Sequence, residues 1–90
     1  MVLRDISILV NDSLSAETVR GTIRTAAPET LIHVREFDRY QGKGIADGKV
    51  SLSFRLTFQS PERTLTDDEV QAGMQRIIDA LVRDLQASQR

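Results

Sequence analysis

The sequence predicts an α+β fold in which one antiparallel sheet carries two helices on a single face. Three observations lead there. Lys49 to Gln59 alternates almost without interruption: Val50, Leu52, Phe54, Leu56 and Phe58 share one parity, and Lys49, Ser51, Ser53, Arg55, Thr57 and Gln59 the other. That is the pattern of a strand buried on one side only. Two other segments place their apolar residues three and four apart, as helices do. Finally, 90 residues allow one domain with a small core.

The elements follow in order. Ile6-Ser7-Ile8-Leu9-Val10 reads as a strand with Ile6, Ile8 and Val10 on one face. Asn11-Asp12-Ser13 fits a glycosylation acceptor but is better read as a polar turn. Ser15 is placed to cap a helix running to about Ala27, before Pro28, with Val19, Ile23 and Ala26 or Ala27 inward. Gly21 inside it costs about 1 kcal/mol relative to alanine, which suggests a close approach to the sheet. Leu31 to Tyr40 is β-rich, but Ile32 and Val34 have one parity and Phe37 the other. A bulge near Arg35 and Glu36 would reconcile them. Gln41 to Gly48 holds three glycines and reads as a hairpin loop; Ser60 to Arg63 is a second loop. Thr66-Asp67-Asp68-Glu69 is a capping box, with the aspartates suited to the positive end of the helix dipole. Behind it, Val70, Met74, Ile77, Ile78, Leu81 and Leu85 form a core stripe. Ala87 to Arg90 is polar and reads as a short last strand or a frayed end. Strand, helix, strand, strand, helix and a short or absent final strand make a two-layer sandwich, the ferredoxin-like βαββαβ plan, over residues 1–90 as one domain.

Composition removes several function classes. There is no cysteine, hence no disulfide, iron–sulfur cluster or thiolate nucleophile. His33 is the single histidine, no carboxylate cage appears outside the helix cap, and no metal site is expected. The segment Gly44 to Val50 misses the phosphate-loop pattern by one residue and has Val50 where a hydroxyl is needed. Gly42-Lys43-Gly44 lacks the third glycine of a dinucleotide fingerprint. Acylphosphatases resemble this topology, but their loop needs glycine and arginine where this chain has Asn11-Asp12-Ser13-Leu14-Ser15. The expectation is a domain without catalysis or cofactor of its own. No apolar run reaches the ~20 residues of a membrane span and no signal pattern opens the chain, so a cytoplasmic setting is expected.

Charge is nearly balanced: 12 basic against 13 acidic residues, net −1. Ten of the twelve basic residues are arginine, so their placement matters more than their sum. Arg35, Arg39, Lys49 and Arg55 fall on the two middle strands, with Asp38 and Tyr40 near the glycine loop. The helices are expected to cover the Val50 side, leaving Ser51, Ser53 and Arg55 on a bare polar face. An aromatic ring stacks on a base, worth about 1–3 kcal/mol. A carboxylate accepts hydrogen bonds only, which matches the donor edge of guanine, and arginines grip phosphates. These parts suit an unpaired RNA base. They equally suit a solvated face with cross-strand salt bridges, or a ferredoxin-like domain that binds a protein or small ligand.

A resemblance weighs between these readings. Phe37-Asp38-Arg39-Tyr40-Gln41-Gly42-Lys43-Gly44-Ile45, then Gly48 through Val70, strongly resembles the ferredoxin-fold anticodon-binding domain that ends the β chain of bacterial phenylalanyl-tRNA synthetases. Arg4-Asp5-Ile6-Ser7-Ile8 and the helix from Ser15 extend the likeness over nearly the whole chain. The resemblance implies binding of the anticodon stem-loop of tRNA(Phe), with aminoacylation in other domains of an (αβ)₂ enzyme. Its partners would then be that tRNA, the rest of the β chain and the α chain. The family's FDxY pattern falls on Phe37 to Tyr40, so Asp38 and Tyr40 would meet the first anticodon base, a guanine. Ser51 falls on the family's serine and Arg90 on its terminal arginine, while Arg39, Lys49 and Arg55 complete the expected RNA-binding set. Glu36 and Arg39 depart from the family's apolar preference, and Leu85 to Arg90 lacks the usual glycine and apolar residue of a closing strand. Met1 stands where the family has several hundred preceding residues, which reads as a fragment of a longer chain.

Overall fold

The computed structural model describes residues 1–89. Among them are β1 (Val2–Asn11), α1 (Ala16–Ala26), β2 (Leu31–Tyr40), β3 (Lys49–Phe58), α2 (Asp67–Leu85) and β4 (Ser88–Gln89). The strands form one antiparallel sheet in the order β2-β3-β1-β4. This is the ferredoxin-like α+β sandwich, with a last strand of two residues.

β1 is longer than its apolar run. The charged pair Arg4-Asp5 breaks the hydrophobic pattern, yet ten residues of β1 pair with ten of β3, from Val2 opposite Phe58 to Asn11 opposite Lys49. Ile6, Ile8 and Val10 lie opposite Phe54, Leu52 and Val50, and all six are buried with Leu56 and Phe58 against the helices. Val19 and Ile23 of α1 and Val70, Met74, Ile77 and Leu81 of α2 complete this core. Ile78 and Leu85 are only half-buried.

Local chemistry sets the helix ends. Asn11 makes the first turn with its own side chain, Oδ1 accepting from the Ser13 N–H at 3.0 Å. Ser15 Oγ accepts from the Thr18 N–H at 3.1 Å, and Thr66 Oγ1 from the Glu69 N–H at 3.2 Å. The expected purpose of Gly21 is corrected: a Cβ there would meet nothing within 4 Å. The close approach belongs to Gly73 of α2, where a Cβ would stand 3.1 Å from Pro28 Cγ and 3.4 Å from Phe58 Cε1. At the end of α2, Gln86 takes the left-handed conformation (φ 56°) in which glycine is the usual residue. The Ala87 N–H closes on the Leu81 carbonyl at 3.2 Å, and the chain turns back to place Ser88 and Gln89 opposite Leu9 and Ile8.

β2 also differs from expectation. Its register slips twice, at Phe37, next to the bulge expected near Arg35 and Glu36, and also at Ile32, where none was expected. The slip at Phe37 does not turn that residue inward. Val34 is buried, whereas Ile32 is 52% and Phe37 47% exposed.

Candidate nucleic-acid interface

The face of the sheet away from the helices is organised in cross-strand rows. Residues directly opposite in an antiparallel pair share a face. Leu9, Ser51 and Tyr40 make one row, Ser7, Ser53 and Asp38 the next, Asp5, Arg55 and Arg35 the third, and Leu3, Thr57 and His33 the last. The slip at Phe37 brings Asp38 and Tyr40 onto this face, opposite the two serines. Both are exposed.

The serines are not the open polar floor expected from the sequence. Ser51 is 2% and Ser53 7% exposed, because short side chains in the middle of a sheet sink between longer neighbours. Ser53 Oγ lies 2.8 Å from Ser7 Oγ, so that row is stitched across β1 and β3.

Tyr40 is held by the glycine loop that follows it. Its Oη donates to the Lys43 carbonyl at 2.8 Å, and a Cβ on Gly42 (φ 151°) would lie 3.5 Å from the Tyr40 Oη. Gly44 and Gly48 have φ of 89° and 81°, in the region that favours glycine. The loop is fastened at its base. Gln41 Nε2 donates to Asp12 Oδ2 at 3.0 Å and to the Lys49 carbonyl at 3.2 Å, and the Asp12 N–H donates to the Gly48 carbonyl at 2.9 Å.

The cations divide differently from the expected set. Arg55 is engaged: its Nε and Nη2 donate to the two carboxylate oxygens of Asp5 at 2.9 and 3.1 Å. That fork holds the Asp5 carboxyl below the usual aspartate range and raises the guanidinium further. The Arg55 guanidinium also lies over the Phe37 ring, 5.4 Å from its centroid. Arg39 is opposite Leu52, so it belongs to the helix side of the edge strand and not to the face of Asp38 and Tyr40. Lys49 shares the parity of Ser51 and stands beside the loop. Arg35, opposite Arg55, forms no ion pair among the described residues. Arg90 lies outside the described residues.

Among the described residues, no group of three or more histidine, cysteine, aspartate or glutamate side chains is placed to hold a metal. A surface depression lined by Met1, Val2 and Phe58 to Leu65 sits at the other end of β3, away from Asp38 and Tyr40.

This topology, with a ring and a carboxylate exposed beside a glycine loop, agrees with what a comparison of the whole sequence finds. A family model described as the ferredoxin-fold anticodon binding domain matches residues 1–90. The chain belongs to that family. Relatives include the phenylalanine–tRNA ligase beta subunits of Pseudomonas fluorescens, 44% identical over 99% of this chain, and Acinetobacter baylyi, 38% identical over 99%. That of Symbiobacterium thermophilum is 40% identical over 89%. The chain covers 11% of the first two and 9% of the third, so it spans about a tenth of the relatives it matches. Within this anticodon-binding fold, sequence reasoning placed Asp38, Tyr40, Ser51, Lys49 and Arg55 on one face. It missed the Gln41 clamp and the contact of Phe37 with Arg55. A glutamine at the start of the loop and an acidic residue after β1 were visible, but their meeting depends on the closed hairpin.

Proposed function

We propose that the helix-free sheet face binds the anticodon stem-loop of tRNA(Phe), and that the chain does so within a phenylalanine–tRNA ligase whose aminoacylation chemistry lies elsewhere. The names of the relatives support the second part, and the chemistry of the face supports the first. One observation is central: Asp38 and Tyr40 are exposed together opposite Ser53 and Ser51, at a ring position fixed by the loop. In this reading the Tyr40 ring stacks on the first anticodon base. The Asp38 carboxylate accepts from the N1–H and N2–H₂ of a guanine, and Ser51, 2% exposed between its neighbours, adds a hydrogen bond to an anticodon base once they part. Lys49 and Arg35 provide charge for the backbone, as would Arg90. No cofactor takes part.

The test is a titration of the chain with an anticodon stem-loop RNA at low salt. Tyr40→Ala is expected to weaken binding by about 1–3 kcal/mol. Replacing the first anticodon guanine by adenine should weaken the parent chain and leave Asp38→Ala little affected, because adenine offers no matching donor pair. Equal affinity of the parent and Tyr40→Ala would remove the stacking role. Amide shifts that leave Ser51, Ser53 and Arg55 unmoved when RNA is added would point to a protein partner instead.

A further inference from the structure

We infer that Asp5, Arg55 and Phe37 form a second nucleobase platform, distinct from the Asp38–Tyr40 position and serving another nucleotide of the same loop. The inference rests on the RNA-binding reading above and reassigns Arg55 from gripping a phosphate to stacking.

Three features support it. Phe37 is an aromatic side chain left 47% exposed on a sheet whose other phenylalanines, Phe54 and Phe58, are fully buried. The slip in β2 puts it there, and the Arg55 guanidinium covers its ring at 5.4 Å. Second, the guanidinium is pinned. Both oxygens of one carboxylate hold it, at 2.9 and 3.1 Å, and the Arg55 side chain keeps 48% of its surface. A planar group fixed by a two-point fork is pre-organised, so it loses little freedom when a base lies against it. Third, its charge is already compensated by Asp5, which suits an uncharged base better than a phosphate. A guanidinium plane is a known surface for unstacked bases.

Position separates the two sites. Arg55 lies four residues along β3 from Ser51, the partner of Tyr40, which is about 13 Å on an extended strand. One base cannot reach both. Arg35, in the same cross-strand row as Arg55 and without an ion pair among the described residues, is placed to hold a phosphate beside the platform.

The experiment titrates the chain with anticodon stem-loop RNAs in which each loop nucleotide in turn is replaced by a fluorescent base analogue quenched on stacking. Two platform variants are used. Phe37→Leu keeps an apolar side chain at an exposed position, and Arg55→Lys keeps the charge but loses the plane. Circular dichroism checks that each remains folded. The expected result is a loss of at least about fivefold in affinity for either variant, the lower end of what removing a stacking partner costs. The slope of log K against log salt should stay unchanged, since no phosphate contact is lost. Fluorescence of one loop position should recover in Phe37→Leu while the position on Tyr40 stays quenched. If both variants bind as the parent does and Tyr40→Ala still weakens binding, the platform is refuted and the anticodon reading stands. If Arg55→Lys matches the parent while Arg55→Gln lowers the salt slope by about 0.7, Arg55 holds a phosphate and the platform is refuted. If the parent chain does not bind the RNA, both readings fall.

Discussion

Tyr40 combines two features that a single substitution can separate. Its ring is exposed, the surface on which the proposed reading stacks a base, and its hydroxyl, through the Lys43 carbonyl, ties that ring to the glycine loop. Tyr40→Phe keeps the ring and removes the donor. An exposed hydrogen bond of this kind is worth at most about 1 kcal/mol, so affinity for a stem-loop RNA should fall by less than about fivefold. Tyr40→Ala should fall further in the same titration, and identical losses would mean that the hydroxyl and not the ring matters. The type of residue at this site was legible, because alternation put Asp38 and Tyr40 on one side and the loop glycines beside them. What the serines do was not. Ser51 and Ser53 read as solvent-facing by parity, yet burial depends on the length of neighbours across three strands, which no single strand records. Phe37 was misread for a related reason. A bulge was inferred, but its position by one residue decides whether an aromatic ring points into the core or out of it.

Each helix has one position at odds with its local preference, and each gives a stability prediction. Gly21 is exposed in the interior of α1 and a Cβ there would touch nothing within 4 Å. Gly21→Ala should therefore stabilise the fold by about 1 kcal/mol. In a domain of this size that is a rise of roughly 4–8 °C in thermal midpoint. No rise would mean that helix propensity in α1 does not limit the stability of the fold. Gln86 holds a left-handed conformation at the end of α2, which disfavours a residue with a Cβ by about 1–2 kcal/mol. Gln86→Gly should raise the midpoint by a few degrees without changing the circular dichroism of the folded state. A drop would show that the Gln86 side chain has its own stabilising contacts. At this scale the sequence was informative about the helices and the two middle strands and poor about β1 and β4. Ser15 and Thr66 are read directly as caps, because a cap is a local hydrogen bond. The full length of β1 was not evident, and β4 was read only as a short last strand or a frayed end, since both are defined by pairing with a partner strand. The packing glycine was likewise placed on the wrong helix: Gly21 and Gly73 look alike until Pro28 and Phe58 are brought against one of them.

At the scale of the molecule, two ion pairs among the described residues both join separate parts of the fold and lower a carboxylate's pKa, so they make its stability depend on pH in one direction. Asp5 and Arg55 join β1 to β3, and Arg63 and Glu69 join the loop after β3 to the first turn of α2, at 2.9 and 2.6 Å. The Arg55 hydrogen bonds are the main cause of the lowered Asp5 pKa. For Glu69 the Arg63 hydrogen bond acts first, then its charge, with further hydrogen bonding from Thr66 that matches the capping box read from the sequence. In both cases the folded state prefers the ionised carboxylate more than the unfolded chain does. The unfolded chain therefore binds more protons as pH falls past the ordinary carboxylate values of about 4. The contribution is fully present above that range and is lost as pH drops through the lower, folded-state pKa values. Both pairs are exposed, so salt screens them and the effect should be modest. The expected measurement is a thermal midpoint that is flat near neutrality and declines below about pH 4. Asp5→Asn combined with Glu69→Gln should start lower near neutrality and decline less steeply. An acid limb as steep in the double variant as in the parent would place the proton-sensitive contacts elsewhere. The same double variant bears on RNA binding, because releasing Arg55 from Asp5 frees a cation while loosening the plane over Phe37. If that plane receives a base, binding should weaken despite the added positive charge, and a gain in affinity would show that charge alone governs the face.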